Sequence, residues 1–173
     1  GLDATFDGFT VMPYAVNAVD PKRFLLGFYG LYESRNRGDT ISVVTPDPML
    51  ANTLAIDPAN GTDATGGATV SALVYGGRNA NGTPNADVIY AARANWILVR
   101  TGATATYDRE TEIPNAGVIH DIVLDPTNWQ VAYAVDDNHV WGTIDGGRNW
   151  TDLTGELLVN GDNVGLNTVE IIK

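Results

Sequence analysis

The sequence holds two histidines, His120 and His139, and each has carboxylates beside it: Asp121 next to the first, Asp136 and Asp137 just before the second. Imidazole paired with carboxylate serves zinc binding and general acid–base chemistry. These two histidines name no third zinc ligand, and no serine sits on a Gly-x-Ser-x-Gly elbow, so neither a zinc centre nor a Ser-His-Asp triad is defined. Cysteine is absent. That removes a thiol nucleophile, a thiolate metal site and a disulfide framework. Oxygen donors are more plentiful. Asn79, Asn81, Asn85 and Asp87 fall in one stretch, and Asp136, Asp137 and Asn138 in another. Ca²⁺ takes about six to eight such oxygens. Neither stretch has EF-hand spacing, and Asn and Asp are also the usual turn formers. Turns are the preferred reading, so no cofactor is expected, with Ca²⁺ as the one candidate. Arg37-Gly38-Asp39 spells the integrin-binding tripeptide, and Asn60, Asn81 and Asn149 begin glycosylation sequons. Patterns this short recur by chance.

Composition limits the elements that could position these groups. Of 173 residues, 44% are hydrophobic and only 18% charged, with 19 Gly and 8 Pro. The length fits one domain with its own core. Helical bundles and coiled coils carry more Ala, Glu, Lys and Leu, and disordered chains fewer apolar residues. No apolar run reaches the length of a membrane-spanning helix, so membrane insertion is not expected. The net charge is −11, the only lysines are Lys22 and Lys173, and the arginines are scattered. Nucleic acid is therefore not an expected partner, nor is an anionic membrane surface. Residues Gly1-Leu2-Asp3-Ala4 lack the charged start and apolar stretch of a signal peptide; a secretory leader would lie outside this sequence.

The chain repeats itself. Arg23 to Tyr29 followed by Leu31 to Ser34, Asp87 to Arg93 followed by Ile97 to Arg100, and Gln130 to Val135 followed by Val140 to Thr143 align as paired apolar segments. A small residue recurs at Gly27, Ala91 and Ala134, as suits a strand position where backbones approach closely. Asp-Pro turns at Asp20-Pro21 and Asp125-Pro126 mark the first and third units. No helical periodicity lasts a normal helix length. The pattern is about four short strands per unit, three times over, and such repeats of roughly 40 residues are β-propeller blades. The expected fold is therefore all-β and spans 1–173 as a partial β-propeller. Blade one covers about 14–45, an insertion about 46–67, blade two about 68–107 and blade three about 117–157. The first strand of a next blade covers about 168–173.

Each unit turns into its last strand through a recurring pattern. Thr143-x-Asp145-x-Gly147-x-x-Trp150 in the third unit matches Ser34-x-Asn36-x-Gly38-x-x-Ile41 in the first. The Asp or Asn side chain can accept from backbone N–H groups ahead of it. Gly supplies a positive φ, and the terminal apolar residue fills the gap between sheets. The second unit, Arg100 to Tyr107, has lost the pattern except for its terminal Thr106-Tyr107.

This turn resembles the Asp-box, or BNR repeat, of sialidase-like propellers, found also in sortilin-type receptors, xyloglucanase-like glycoside hydrolases and photosystem assembly propellers. The unit from Val70 to Leu157 is also similar to repeats of very large secreted or surface proteins of bacteria. The resemblance implies a structural role for Ser34, Asn36, Gly38, Thr143, Asp145, Gly147 and Trp150, on the blade periphery and away from a central ligand funnel. It implies an extracellular or cell-surface setting. Three blades are fewer than the roughly four to eight that close a ring. The remaining blades of the same protein, or other protein chains, are thus the expected partners. The function expected is that of a non-catalytic structural or interaction segment. The alternative is a fragment of a carbohydrate-active hydrolase whose site is shared with missing blades. That chemistry needs two carboxylates roughly 5–9 Å apart; Asp121 is the best single candidate, with Trp96 and Trp129 for sugar stacking. A sialidase would further need converging arginines, for which Arg78, Arg93, Arg100 and Arg109 are the candidates.

Overall fold

The computed structural model describes residues 12–28, 30–44, 70–104, 106–157 and 165–172. They form three four-stranded antiparallel sheets, each a meander in chain order. The first holds β1 (Tyr14–Val16), β2 (Phe24–Gly27), β3 (Leu31–Ser34) and β4 (Ser42–Val44). The second holds β5 (Ala72–Arg78), β6 (Pro84–Arg93), β7 (Trp96–Arg100) and β8 (Arg109–Glu112). The third holds β9 (Asp121–Asp125), β10 (Asn128–Val135), β11 (Val140–Thr143) and β12 (Thr151–Asp152). A 3-10 turn at Gly155–Leu157 follows. The first strands adjoin, β1 on β5 and β5 on β9. The sheets therefore share an inner side, as the blades of an unclosed β-propeller.

Strand sequences follow from which faces are covered. Successive side chains point to opposite faces of a sheet. In the middle blade, Val88, Tyr90, Ala92, Ile97 and Val99 pack toward the third blade, with Ile122, Leu124 and Trp141. Ile89, Ala91 and Leu98 pack the other way, with Leu25, Leu31 and Val44 of the first blade. The middle of this blade is buried on both faces, so Val88–Ala92 of β6 and Ile97–Val99 of β7 read as unbroken apolar runs. β2 and β10, in the outer blades, alternate or partly alternate between buried and half-exposed residues.

Blades approach most closely where glycine removes a side chain. Gly76, at φ 75°, sits at a bulge between β5 and β6. A Cβ there would come within 2.3 Å of the Asn17 side chain, and one on Gly77 within 2.8 Å of Trp129 Cβ.

Three details depart from the sequence reading. The second blade does not end near 107; its fourth strand is β8, with Arg109 opposite Val99. The pairing Glu33 with Ser42 and Gly142 with Thr151 shows that the second blade's turn is one residue longer. The run Arg-Glu-Thr-Glu also carries no apolar signal. The small-residue alignment slips by one in the first blade. Gly27 lies opposite Leu31, as Ala92 lies opposite Ile97 and Val135 opposite Val140, so Gly27 matches Ala92 and not Ala91. The first blade's hairpin is a residue shorter, which hid the slip. The stretch 168–173 is expected to begin a further blade; its described residues, 168–172, form no ladder. Thr168 and Val169 bond instead to Asp121. The expected insertion at 46–67 lies outside the described residues.

Candidate functional site

The two matching turns share one hydrogen-bond plan. In the third blade, Thr143 Oγ1 accepts from Gly147 N (3.1 Å) and donates to Asp145 Oδ1 (2.9 Å). Asp145 Oδ1 accepts from Arg148 N and Asn149 N, both at 3.0 Å, and Oδ2 from Asn149 Nδ2 at 2.6 Å. In the first blade, Ser34 Oγ accepts from Gly38 N (2.8 Å), and Asn36 Oδ1 accepts from Thr40 N (2.9 Å). Gly146 and Gly147 have φ 74° and 79°; Arg37 and Gly38 have 63° and 97°. Trp150 packs on the core beneath its turn. Its indole N–H is buried with no acceptor among the described residues, so the ring contributes packing alone. The divergent second turn is closed by Asp108, whose carboxylate accepts from Thr101 N and, at 2.5 Å, from Thr101 Oγ1.

Burial raises the Asp145 carboxyl, but the Asn149 side chain, the backbone N–H groups and the Thr143 hydroxyl outweigh it and hold its pKa at about 2. Its stabilising effect is complete above the unfolded value of about 4 and fades as pH falls toward 2. Asn36 shows that an amide oxygen can fill the same place. Asp145→Ala is therefore expected to cost about 1–2 kcal/mol at pH 7, and Asp145→Asn less than about 1. Urea unfolding measures both, and Asp145→Asn should flatten the loss of stability between pH 4 and 2.

A second polar centre joins the first two blades. Arg100, fully buried, reaches across to Glu33, with Nη2 to Oε1 at 2.7 Å and Nη1 to Oε2 at 3.0 Å. Glu33 Oε1 also accepts from Arg23 Nη2 (2.9 Å) and from the Tyr75 hydroxyl. Arg35 Nε closes on Oε2 at 3.0 Å. Arg23 donates further to Asp87 Oδ1 at 2.6 Å, and Arg100 Nε to the Asp87 carbonyl at 3.0 Å. Burial would raise the Glu33 carboxyl, but hydrogen bonds from Arg100, Tyr75 and Arg23 hold it well below the usual carboxylate range. Burial, with Glu33, pushes the Tyr75 phenol up to about 12. Among the described residues no buried polar atom of the centre lacks a partner, so the centre binds one blade to the next. Sequence reading missed it. Its only signal was a charge bordering each apolar run, at Arg23, Glu33 and Arg100.

The residues singled out for chemistry are dispersed. His120 Nε2 pairs with Asp137 (3.0 Å) and His139 Nδ1 with Asp136 (3.0 Å). Asp136, buried, accepts from Gly117 N, Asn138 N, His139 N and the Trp141 indole. These bonds overcome its burial and keep the carboxyl below its ordinary value. Asp121 accepts from Ile122 N, Thr168 Oγ1 and Val169 N. In the Asn-rich stretch, Asn81 and Asn85 cap their own turns, while Asn79 accepts from the Trp129 indole at 2.8 Å. Among the described residues, no three His, Cys, Asp or Glu gather as a metal site would require. Trp129 is buried between blades and unavailable for stacking a sugar, whereas Trp96 is 36% exposed. The four arginines do not converge on one point. Arg100 faces Glu33, Arg109 donates to the Gly146 carbonyl and Arg78 to the Gly82 carbonyl.

The architecture and these turns define three blades of a β-propeller, and known structures agree. An ancestral GH74 enzyme superposes with a TM-score of 0.54 at 16% identity, over 79% of this chain and 17% of that one. YCF48 from Cyanidioschyzon merolae superposes with a TM-score of 0.53 at 16% identity, over 83% of this chain and 39% of that one. The chain thus spans less than two-fifths of either neighbour, and at such identity the likeness is one of fold. No protein-family model and no curated protein matches the chain.

Proposed function

We propose that the chain is a non-catalytic structural or interaction segment of a secreted or cell-surface propeller protein of the Asp-box kind. The observation that carries this reading is the state of its reactive side chains. The carboxylates of Asp121, Asp136 and Glu33, and both imidazoles, are bonded within the chain, holding turns, a terminal segment and an inter-blade seam. The turns at Ser34–Ile41 and Thr143–Trp150 support the Asp-box assignment through their shared bonding plan. The partners are further blades or other protein chains.

The test is a screen of polysaccharide hydrolysis with the full-length protein. No turnover is expected. Turnover that Asp121→Asn abolishes would defeat the scaffold reading in favour of a hydrolase. Protease treatment of intact cells should remove the protein, and its survival until lysis would refute the surface location.

A further inference from the structure

Asn81 and Gly82 sit at the tip of the β5–β6 hairpin, on the blade that has a neighbour at either side. Nothing about this tip therefore depends on how far the chain extends. Asparagine before glycine is the step at which a side-chain amide most readily closes on the backbone, because glycine has no side chain to shield its nitrogen. The same dipeptide occurs at Asn60-Gly61 and Asn160-Gly161, outside the described residues.

The hairpin closes on Ala80, Asn81 and Gly82, with Gly82 at φ 84° as the left-handed bulge residue that such loops use. Asn79 N donates to the Thr83 carbonyl and Gly82 N to the Asn79 carbonyl, both at 2.8 Å. Asn81 Oδ1 accepts from Thr83 N at 3.0 Å and from Thr83 Oγ1 at 2.6 Å. Both reacting groups are thus engaged elsewhere. The Gly82 nitrogen holds its proton against a carbonyl, and the amide it would attack is held toward Thr83. Burial plays no part, since Asn81, Gly82 and Thr83 are exposed and nothing lies within 4 Å of a Cβ at Gly82.

The tip is also tied from outside. Asn79 Nδ2 donates to Thr83 Oγ1 at 2.9 Å, and Arg78 Nη1 donates to the Gly82 carbonyl at 3.0 Å. Asn79 Oδ1 accepts from the Trp129 indole at 2.8 Å. Trp129 belongs to the third blade, so the hairpin tip and the seam between the second and third blades share a hydrogen bond.

We propose that Asn81 is a latent deamidation site gated by this hairpin. When the tip opens, Gly82 N bonds to Asn81 Cγ, the Cγ–Nδ2 bond breaks, and Nδ2 leaves as ammonia with the proton from Gly82. Water then opens the resulting succinimide to aspartate or isoaspartate. Isoaspartate carries the chain through the side-chain carbon and lengthens the backbone by one atom. The tight loop then no longer re-forms, and Asn79 loses its hold on Trp129. The modification therefore records past opening of the tip and loosens the seam beside it. Its rate follows the population of the locally opened state.

The test is peptide mapping of the full chain during incubation in mildly alkaline buffer, folded and in urea, with amide-to-acid conversion read by mass at each Asn-Gly. In urea the three sites supply the rate of the open chain. Folded, Asn81 should react at least about tenfold more slowly, the factor that about 1.4 kcal/mol of closure supplies. Thr83→Val removes a donor to Asn81 and an acceptor for Asn79, and should speed the folded reaction about three- to tenfold. Thr83→Ser keeps the hydroxyl and should leave it slow. Circular dichroism checks that both variants fold. An Asn81 that reacts as fast folded as in urea overturns the proposal. So does a folded Thr83→Val chain that reacts at the wild-type rate. Chains carrying isoaspartate at 81 should unfold at lower urea, and an unchanged midpoint overturns the link to the seam.

Discussion

Glu33→Ala is expected to destabilise the chain by about 3–5 kcal/mol, the cost typical of leaving a buried charge without its partner. Arg100 has no solvent to turn to, and Arg23 and Tyr75 would lose the same acceptor. At this chain length each kcal/mol lowers the melting temperature by about 2–4 °C, so calorimetry should record a fall of about 6–20 °C. Arg100→Met alone should cost less, because Glu33 keeps Arg23, Arg35 and Tyr75. The double variant Glu33→Ala, Arg100→Met should cost less than the two singles summed, since the second change removes the charge that the first strands. Additive losses would show that the pair is not coupled. Acid supplies an independent arm. A depressed carboxyl stabilises fully above its unfolded pKa of about 4.3 and loses that contribution as pH falls through the folded value. The wild type should therefore weaken steadily below pH 4, and Glu33→Gln should show a shallower slope there.

Gly76→Ala is expected to be comparably severe. A left-handed alanine costs about 1–2 kcal/mol, and the added methyl would collide with Asn17, 2.3 Å from its Oδ1. Asn17 cannot withdraw freely. It is buried, donates to the Ala86 carbonyl at 2.7 Å and accepts from Val19 N and Asp20 N. Forcing a side chain into such a space adds about 1–3 kcal/mol, for a total of about 2–5. Gly82 is the control, with φ 84° and nothing within 4 Å of a Cβ. Gly82→Ala should show the conformational cost alone, and the difference in urea midpoint isolates the collision. Equal effects at the two sites would mean that Asn17 yields, and with it the tight seam between β1 and β5.

What the sequence by itself determined is local. Blades are hairpins, and the residues of a hairpin lie close along the chain. Alternating apolar runs, the Asp20-Pro21 and Asp125-Pro126 turns and the Thr143-x-Asp145-x-Gly147 pattern were therefore enough to read three antiparallel units. Where local chemistry fell silent, so did the reading. The polar run Arg109–Glu112 gave no strand signal, and a hairpin shortened by one residue shifted Gly27 against Ala91. The tertiary structure alone decided what lies between blades. Glu33 and Arg100 lie 67 residues apart, and nothing local requires a charge at strand 3 of one blade to meet a guanidinium from strand 3 of the next. Short-range hydrogen bonding specifies a turn wherever it occurs, whereas ion pairing across sheets depends on how the sheets stack, which only the assembled fold sets.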